Sequence, residues 1–129
     1  MSTAGFTPKQ SVYTVRNRDR QSTLATQVTI AGTSRDRRTG LKGRVGLPSD
    51  AGLWIAPCEA IHTFGMRMAI DAVFLDQNFR VRKIRSGIAP RRIAFCIRAH
   101  SVLELAAGAA SRSLTCTGDQ LEFCTNGEA

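Results

Sequence analysis

Cys58 and His62 stand four residues apart, and His62 is one of two histidines in the chain. On a helix, side chains at that spacing share a face. They could then ligate a metal, or pair as thiolate and imidazole for nucleophilic catalysis. Pro57 and the alternating pattern after Ile61 instead put them on extended chain, where the spacing loses that meaning. Cys96 and His100 show no pairing with the first two. A phosphate loop, a dinucleotide fingerprint and a Gly-x-Ser-x-Gly elbow are absent, as is any C-x-x-C pair. Neither a metal nor a cofactor is expected.

The densest polar set within an apolar stretch is His62, Arg67 and Asp71, and Glu104 lies apart among Val and Leu. Two readings are open. In one, these residues line a small pocket: Asp71 orients His62 or Arg67, and Arg67 offers its planar fork to a carboxylate or phosphate. In the other, Asp71 accepts backbone N–H bonds at a kink over Arg67–Ala69, and His62 and Arg67 are bonded polar plugs. Glu104 then faces outward or pairs with a basic hairpin. A carboxylate between Ile70 and Ala72 is expensive to bury unless hydrogen-bonded, so Asp71 is expected to be buried and bonded. If its donors are backbone groups, asparagine in its place should cost less than alanine.

A second feature is charge. The formal net charge is +8, and from Phe79 to Arg98 seven residues are basic and none acidic. Arg80, Arg82, Lys83, Arg85, Arg91 and Arg92 make a candidate basic patch, which points to anionic partners. Arginine outnumbers lysine 15 to 3 along the whole chain, however, including positions with no clustering. Bases also need aromatic platforms, and this stretch offers only Phe79 and Phe95. A solvated strand face accounts for it equally well.

The elements that must position these residues are short strands. Val12–Val15, Leu24–Ile30, Leu53–Ala56, Ile61–Gly65, Ile70–Leu75, Phe79–Arg85, Val102–Ala106 and Gln120–Cys124 carry the apolar alternation or β-former content of strands. Asp76-Gln77-Asn78 turns one strand into the next as a hairpin. In that hairpin Phe79, Val81 and Lys83 are expected on one face and Arg80, Arg82 and Ile84 on the other. Ser34 caps a short helix over Arg35–Arg44, and a single helical turn fits after Gly108. The predicted fold is mainly β: a small β-sandwich or jelly-roll-like, partly closed barrel with one short helix. The predicted core is Val28, Ile30, Leu41, Leu53, Ile55, Phe64, Ile70, Ala72, Phe74, Val81, Leu103, Leu105 and Leu121.

The 129 residues suit a single domain whose ends, 1–10 and 125–129, are flexible. No apolar run is long enough to span a bilayer, and no secretory signal is visible, so a cytoplasmic location is expected. Cys58, Cys96, Cys116 and Cys124 read as reduced and mostly buried, with a Cys116–Cys124 link across a hairpin as the oxidised alternative.

Three blocks resemble a known family. They are Arg38-Thr39-Gly40-Leu41-Lys42-Gly43-Arg44, then Ile61-His62-Thr63-Phe64-Gly65-Met66-Arg67 running on to Asp76, then Val102 to Gly108 followed by Gly118-Asp119. Their order and spacing are similar to the domain of unknown function 192 over about Thr33 to Phe123. The resemblance implies a jelly-roll-related β fold, with no established catalytic residue or cofactor to carry over. Met68-Ala69 stands where that family favours an aromatic and a proline, and Ala106 where proline is common. Many relatives are exported, and some are encoded near pilus and secretion genes, which is association and not mechanism. The reading that follows is a binding or accessory module for a protein or a small anionic ligand. The alternatives are an enzyme with a pocket centred on His62 and Asp71, and a non-specific nucleic-acid binder using residues 79–98.

Overall fold

The computed structural model describes residues 11–31 and 46–126. The expected helix over Arg35–Arg44, the predicted core residue Leu41 and the expected flexible end at 1–10 lie outside the described residues. The described elements are β1 (Tyr13–Asn17), β2 (Ser22–Ala31), β3 (Ala51–Ile55), β4 (Ala60–His62), β5 (Ile70–Leu75), β6 (Val81–Ile88), β7 (Ile93–Phe95), β8 (Ser101–Ala106), α1 (Ala109–Arg112) and β9 (Leu121–Thr125).

Seven strands form one sheet in the order β6-β5-β8-β3-β2-β1-β9, and β4 and β7 pair in a second, two-stranded sheet. Within the large sheet only β2 and β3 run parallel. The sheet curls until its outer strands meet at one point. Arg80 bridges Gln120, Val81 N–H donates to Asp119 O at 2.9 Å, and Leu121 N–H donates to Phe79 O at 3.0 Å. The result is a half-barrel, a mainly β fold of the kind expected.

Two cores follow from the curl. The concave side is filled by Val15, Leu24, Val28, Val73, Leu75, Val81, Leu103, Leu105 and Leu121. On the convex side Ile55, Ile70, Ala72, Phe74, Ile88 and Val102 pack against Ile61 and Ala94 of the small sheet. β5 and β8 are therefore covered on both faces, and every residue in them is buried. Gly52 lies where β3 crosses β8; a Cβ there would come within 2.9 Å of the Leu105 side chain and 3.0 Å of Glu104 O.

The hairpin faces differ from the expected alternation. Phe74 lies opposite Lys83 and Leu75 opposite Val81, so a bulge absorbs Arg82. Val81 and Ile84 consequently both meet the concave core, while Lys83 and Arg85 share the convex face. Phe64, expected in the core, is 48% exposed.

At one end of the half-barrel α1 forms a plug, with Ala109 and Ala110 buried. Gly108 opens it with φ of 95°, a conformation that glycine adopts without a Cβ penalty. Asp71 holds this plug. Its Oδ1 accepts from Gly87 N–H at 2.8 Å, and its Oδ2 accepts from Gly108 N–H at 3.1 Å and Ala110 N–H at 3.0 Å. The carboxylate is fully buried and bonded to backbone donors. Those donors come from β6 and α1, not from the 67–69 segment next to it in sequence.

Beyond α1, Asp119 ties the 113–119 loop to the β1–β2 turn. Its Oδ2 accepts from Asn17 Nδ2 at 2.9 Å, Arg20 Nε at 3.0 Å and Cys116 N–H at 2.9 Å. Burial opposes its charge, but Arg20, Asn17 and Cys116 outweigh that and hold its carboxyl below the ordinary value. Cys116 and Cys124 are free and exposed, so the considered link is not formed, and of the four cysteines, expected to be mostly buried, Cys96 alone is buried.

Asp71→Ala leaves three backbone N–H groups without their acceptor, that of Ala110 buried, and should destabilise the fold by on the order of 2 kcal/mol in chemical denaturation. Asp71→Asn should cost nearly as much. Donors face both oxygens, and an amide can turn its oxygen to only one side while its NH2 meets an N–H on the other.

Candidate binding face

β4 and β7 are three residues each, and each hides only its middle side chain. Ile61 and Ala94 lie opposite one another and point into the convex core. The flanking pairs, His62 with Ile93 and Ala60 with Phe95, therefore point outward together. One buried residue aligns the two strands. Thr63 N–H donates to Arg92 O at 2.8 Å, its Oγ1 donates to Ala89 O at 2.7 Å and accepts from Arg92 N–H at 2.8 Å, and its O accepts from Arg91 N–H at 3.2 Å. The threonine inside His-Thr-Phe-Gly-Met-Arg is thus the pin between the motif and the 89–92 segment.

The outer face is apolar. Phe64 is 48% exposed, Ile93 63%, Phe95 53% and Ile97 68%. Among the described residues one further large hydrophobic side chain, Leu114, is comparably exposed. His62 is oriented at the centre of this face: its Nδ1 accepts from Phe64 N–H at 3.2 Å, and the two ring centroids are 5.7 Å apart. Lys83 reaches in from β6. Its Nζ donates to Phe95 O at 2.6 Å and lies 5.0 Å from that ring's centroid, a cation–π contact.

The pocket set is not brought together. His62 is exposed on β4, Arg67 is exposed in the segment after it, and Asp71 is buried on β5 with its oxygens taken by backbone donors. Asp71 shares the concave face with Val73 and Leu75, whereas the small sheet lies on the convex side. Nor are His62 and Arg67 plugs within the core. Among the described residues no group of three or more His, Cys, Asp or Glu is placed to hold a metal ion.

Glu104 is neither outward-facing nor paired. It is 2% exposed, its register partners are Leu53 and Ala72, and Oε1 has no hydrogen-bond partner. Desolvation pushes its carboxyl up to about 7. The strand pattern did mark it, since Glu104 falls on the same face as Val102 and Ala106 in a strand buried on both sides.

The basic residues are placed unequally. Arg82, Arg85, Arg91 and Arg92 are exposed; Arg80 is exposed and donates to Gly118 O at 2.9 Å. Among the described residues the ion pairs are Arg18–Glu122 and Arg20–Asp119, so none of the candidate patch is neutralised by an acid. β7 is an element that pattern reading left unassigned. Its signal was a small Ala94 flanked by Ile93 and Phe95: the small residue faces in and the large ones face out.

The model of domain of unknown function 192, described as "Uncharacterized ACR", matches residues 14–123. The chain belongs to the DUF192 family. Two solved structures share the fold. One is a Sinorhizobium meliloti protein described as a "putative transcription regulator", with a TM-score of 0.78 and 22% identity over 89% of this chain and 94% of that one. The other is a Novosphingobium aromaticivorans protein of unknown function, with a TM-score of 0.75 and 21% identity over 95% of this chain and 98% of that one. Nothing among the curated proteins matches. No helix among the described residues of this DUF192 chain is long and apolar enough to cross a membrane.

Glu104 gives the DUF192 fold a pH signature. Its folded value is raised from 4.5 to about 7, so the unfolded chain ionises first as pH rises. Stability is then greatest below the lower value, falls between the two, and levels off above the higher one. Glu104→Gln should flatten that slope. Wild type should lose on the order of 3 kcal/mol across the window in denaturation midpoints measured against pH.

Proposed function

We propose that this DUF192 chain is a non-catalytic binding module, and that the outer face of β4 and β7 docks a protein partner whose surface is apolar with an acidic rim. One observation carries the reading: Ile93 and Phe95 on the small sheet, with Phe64 and Ile97 just beyond the ends of its strands, are four large and exposed apolar side chains. Side chains of this size are normal on a surface when scattered, but contiguous patches mark interaction sites. Lys83, Arg91, Arg92 and Arg98 border the patch, and Glu59, whose Oε2 accepts from Arg98 N–H, is the acid beside it. A partner with carboxylates at its rim complements that charge, which favours encounter and orientation. The buried carboxylates of Asp71 and Asp119 are occupied in holding loops and α1, which supports binding over catalysis.

A second reading takes single-stranded nucleic acid as the partner. Phe64 and Phe95 are exposed rings beside Arg91, Arg92 and Lys83, the combination that stacks bases and tracks a backbone. Ile93 and Ile97, as exposed as the rings or more so, favour a protein.

Two measurements separate these readings. A photo-crosslinking residue in place of Ile93 or Phe95 should capture one discrete protein in cells, and the same group in place of Ser111 should not. Ile93→Asp with Ile97→Asp should remove the adduct from Phe95. Equal adducts from both surfaces would refute the docking face. In the second measurement, affinity for a single-stranded oligonucleotide should be weak, fall steeply with added salt and vanish in Arg91→Glu/Arg92→Glu. Tight binding at physiological salt would make nucleic acid the partner.

A further inference from the structure

A different surface of the molecule is unfinished. β6 ends the seven-stranded sheet, so among the described residues its side away from β5 has no strand beside it. Closure onto β9 reaches only its first residue: Gly118 N–H donates to Val81 O at 2.8 Å, Val81 N–H donates to Asp119 O, and the bridge is one residue earlier, at Arg80. From 82 to 88 the one backbone group bonded elsewhere is Gly87 N–H, which goes to Asp71. Among the described residues the other backbone groups on that side have no hydrogen-bond partner over most of a strand that runs from Val81 to Ile88.

We propose that this free edge of β6, residues 82–88, takes an extended acidic segment of a partner protein as an added strand. An open edge is a template for strand pairing, and main-chain hydrogen bonds would supply the affinity. The side chains decide which strand is admitted. Arg82, Lys83 and Arg85 lie on or beside this edge and have no acid in contact. Three cations in four residues repel a second copy of β6 and leave a neutral strand with no partner for the charge. The same cations attract a strand with carboxylates at alternate positions, because cross-strand pairs of opposite charge are favourable and like pairs are not. The bulge at Arg82 sends Lys83 and Arg85 to the convex side, so an added strand would present acids on that side. Lys83 stands at the rim of both surfaces, so protection within 82–88 and the variants at Arg82 and Arg85 are what distinguish this edge from the outer face of β4 and β7.

The test uses the whole chain and three synthetic peptides of about eight residues, the span of a strand-addition segment. One alternates Glu and Val, one alternates Lys and Val, and one is the Glu–Val peptide with alternate backbone nitrogens methylated. Fluorescence anisotropy gives affinity, and amide hydrogen exchange followed residue by residue gives the site. The Glu–Val peptide should bind and slow exchange within 82–88. Methylation should weaken it at least about tenfold by removing main-chain donors while leaving the charge. Arg82→Glu/Arg85→Glu, with both residues at exposed positions, should weaken it by a similar factor while leaving the circular dichroism spectrum unchanged. Equal binding of the methylated peptide would reduce the effect to charge attraction and overturn strand addition. So would equal binding of the Lys–Val peptide, protection confined to 60–64 and 93–97, a dimer of the chain protected at 82–88, or no binding at about 1 mM peptide.

Discussion

The Asp71 carboxylate is the interaction on which the architecture turns. A half-barrel has two open ends, and one of them is stopped by a helix of a single turn. So short a helix has no cooperative stability of its own, because nucleation costs more than one turn returns. Its first N–H groups need acceptors, and Asp71 supplies an oxygen to two of them while its other oxygen holds Gly87 of β6. One side chain therefore joins β5, β6 and α1. The charge is tolerable in the core because each oxygen has donors at 2.8–3.1 Å. Glu104 is the contrast: a carboxyl of equal burial, one strand away, with no donor, whose proton equilibrium is displaced instead.

Covering the convex side of the sheet leads directly to the exposed face. β5 and β8 carry apolar side chains on both surfaces, so something must lie over the outer one. A two-stranded sheet can bury only alternate residues, and in β4 and β7 those are Ile61 and Ala94. Water contact at the other positions could have been made harmless with polar side chains. The chain has Ile93 and Phe95 there, and Phe64 and Ile97 just beyond. Covering the sheet did not require that choice, which is why it points to a partner.

Much of this was legible in the sequence, for identifiable reasons. Ile70–Leu75 and Val102–Ala106 are dense runs of β formers, and the structure places strands there within a residue. The turn after Gly108 was marked by the glycine itself. Asp71 was marked by the cost of a carboxylate between apolar neighbours, but its donors come from residues 16 to 39 positions away, and no local pattern encodes those. The hairpin faces went astray because a bulge shifts alternation by one residue without changing composition. The motif around His62 was singled out as a polar pocket, and the structure places His62 and Arg67 on the surface and Asp71 in the core. Its threonine does the structural work, and its histidine and phenylalanine lie on the surface.

The sheet's seam has a consequence for biosynthesis. β1, over residues 13–17, is paired on one side by β2 and on the other by β9, over residues 121–125. Gln120, the residue before β9, bridges Arg80. A ribosome delivers those partners about a hundred residues apart, so β1 waits with an open flank until residues 121–125 have been made, and the concave core stays without Leu121 until then. The nascent chain can form β5, β6 and β8 as they emerge, but the cylinder shuts only when the last strand clears the exit tunnel. For this topology the concave core is completed by the last strand of the sheet to be made, after every other strand that lines it.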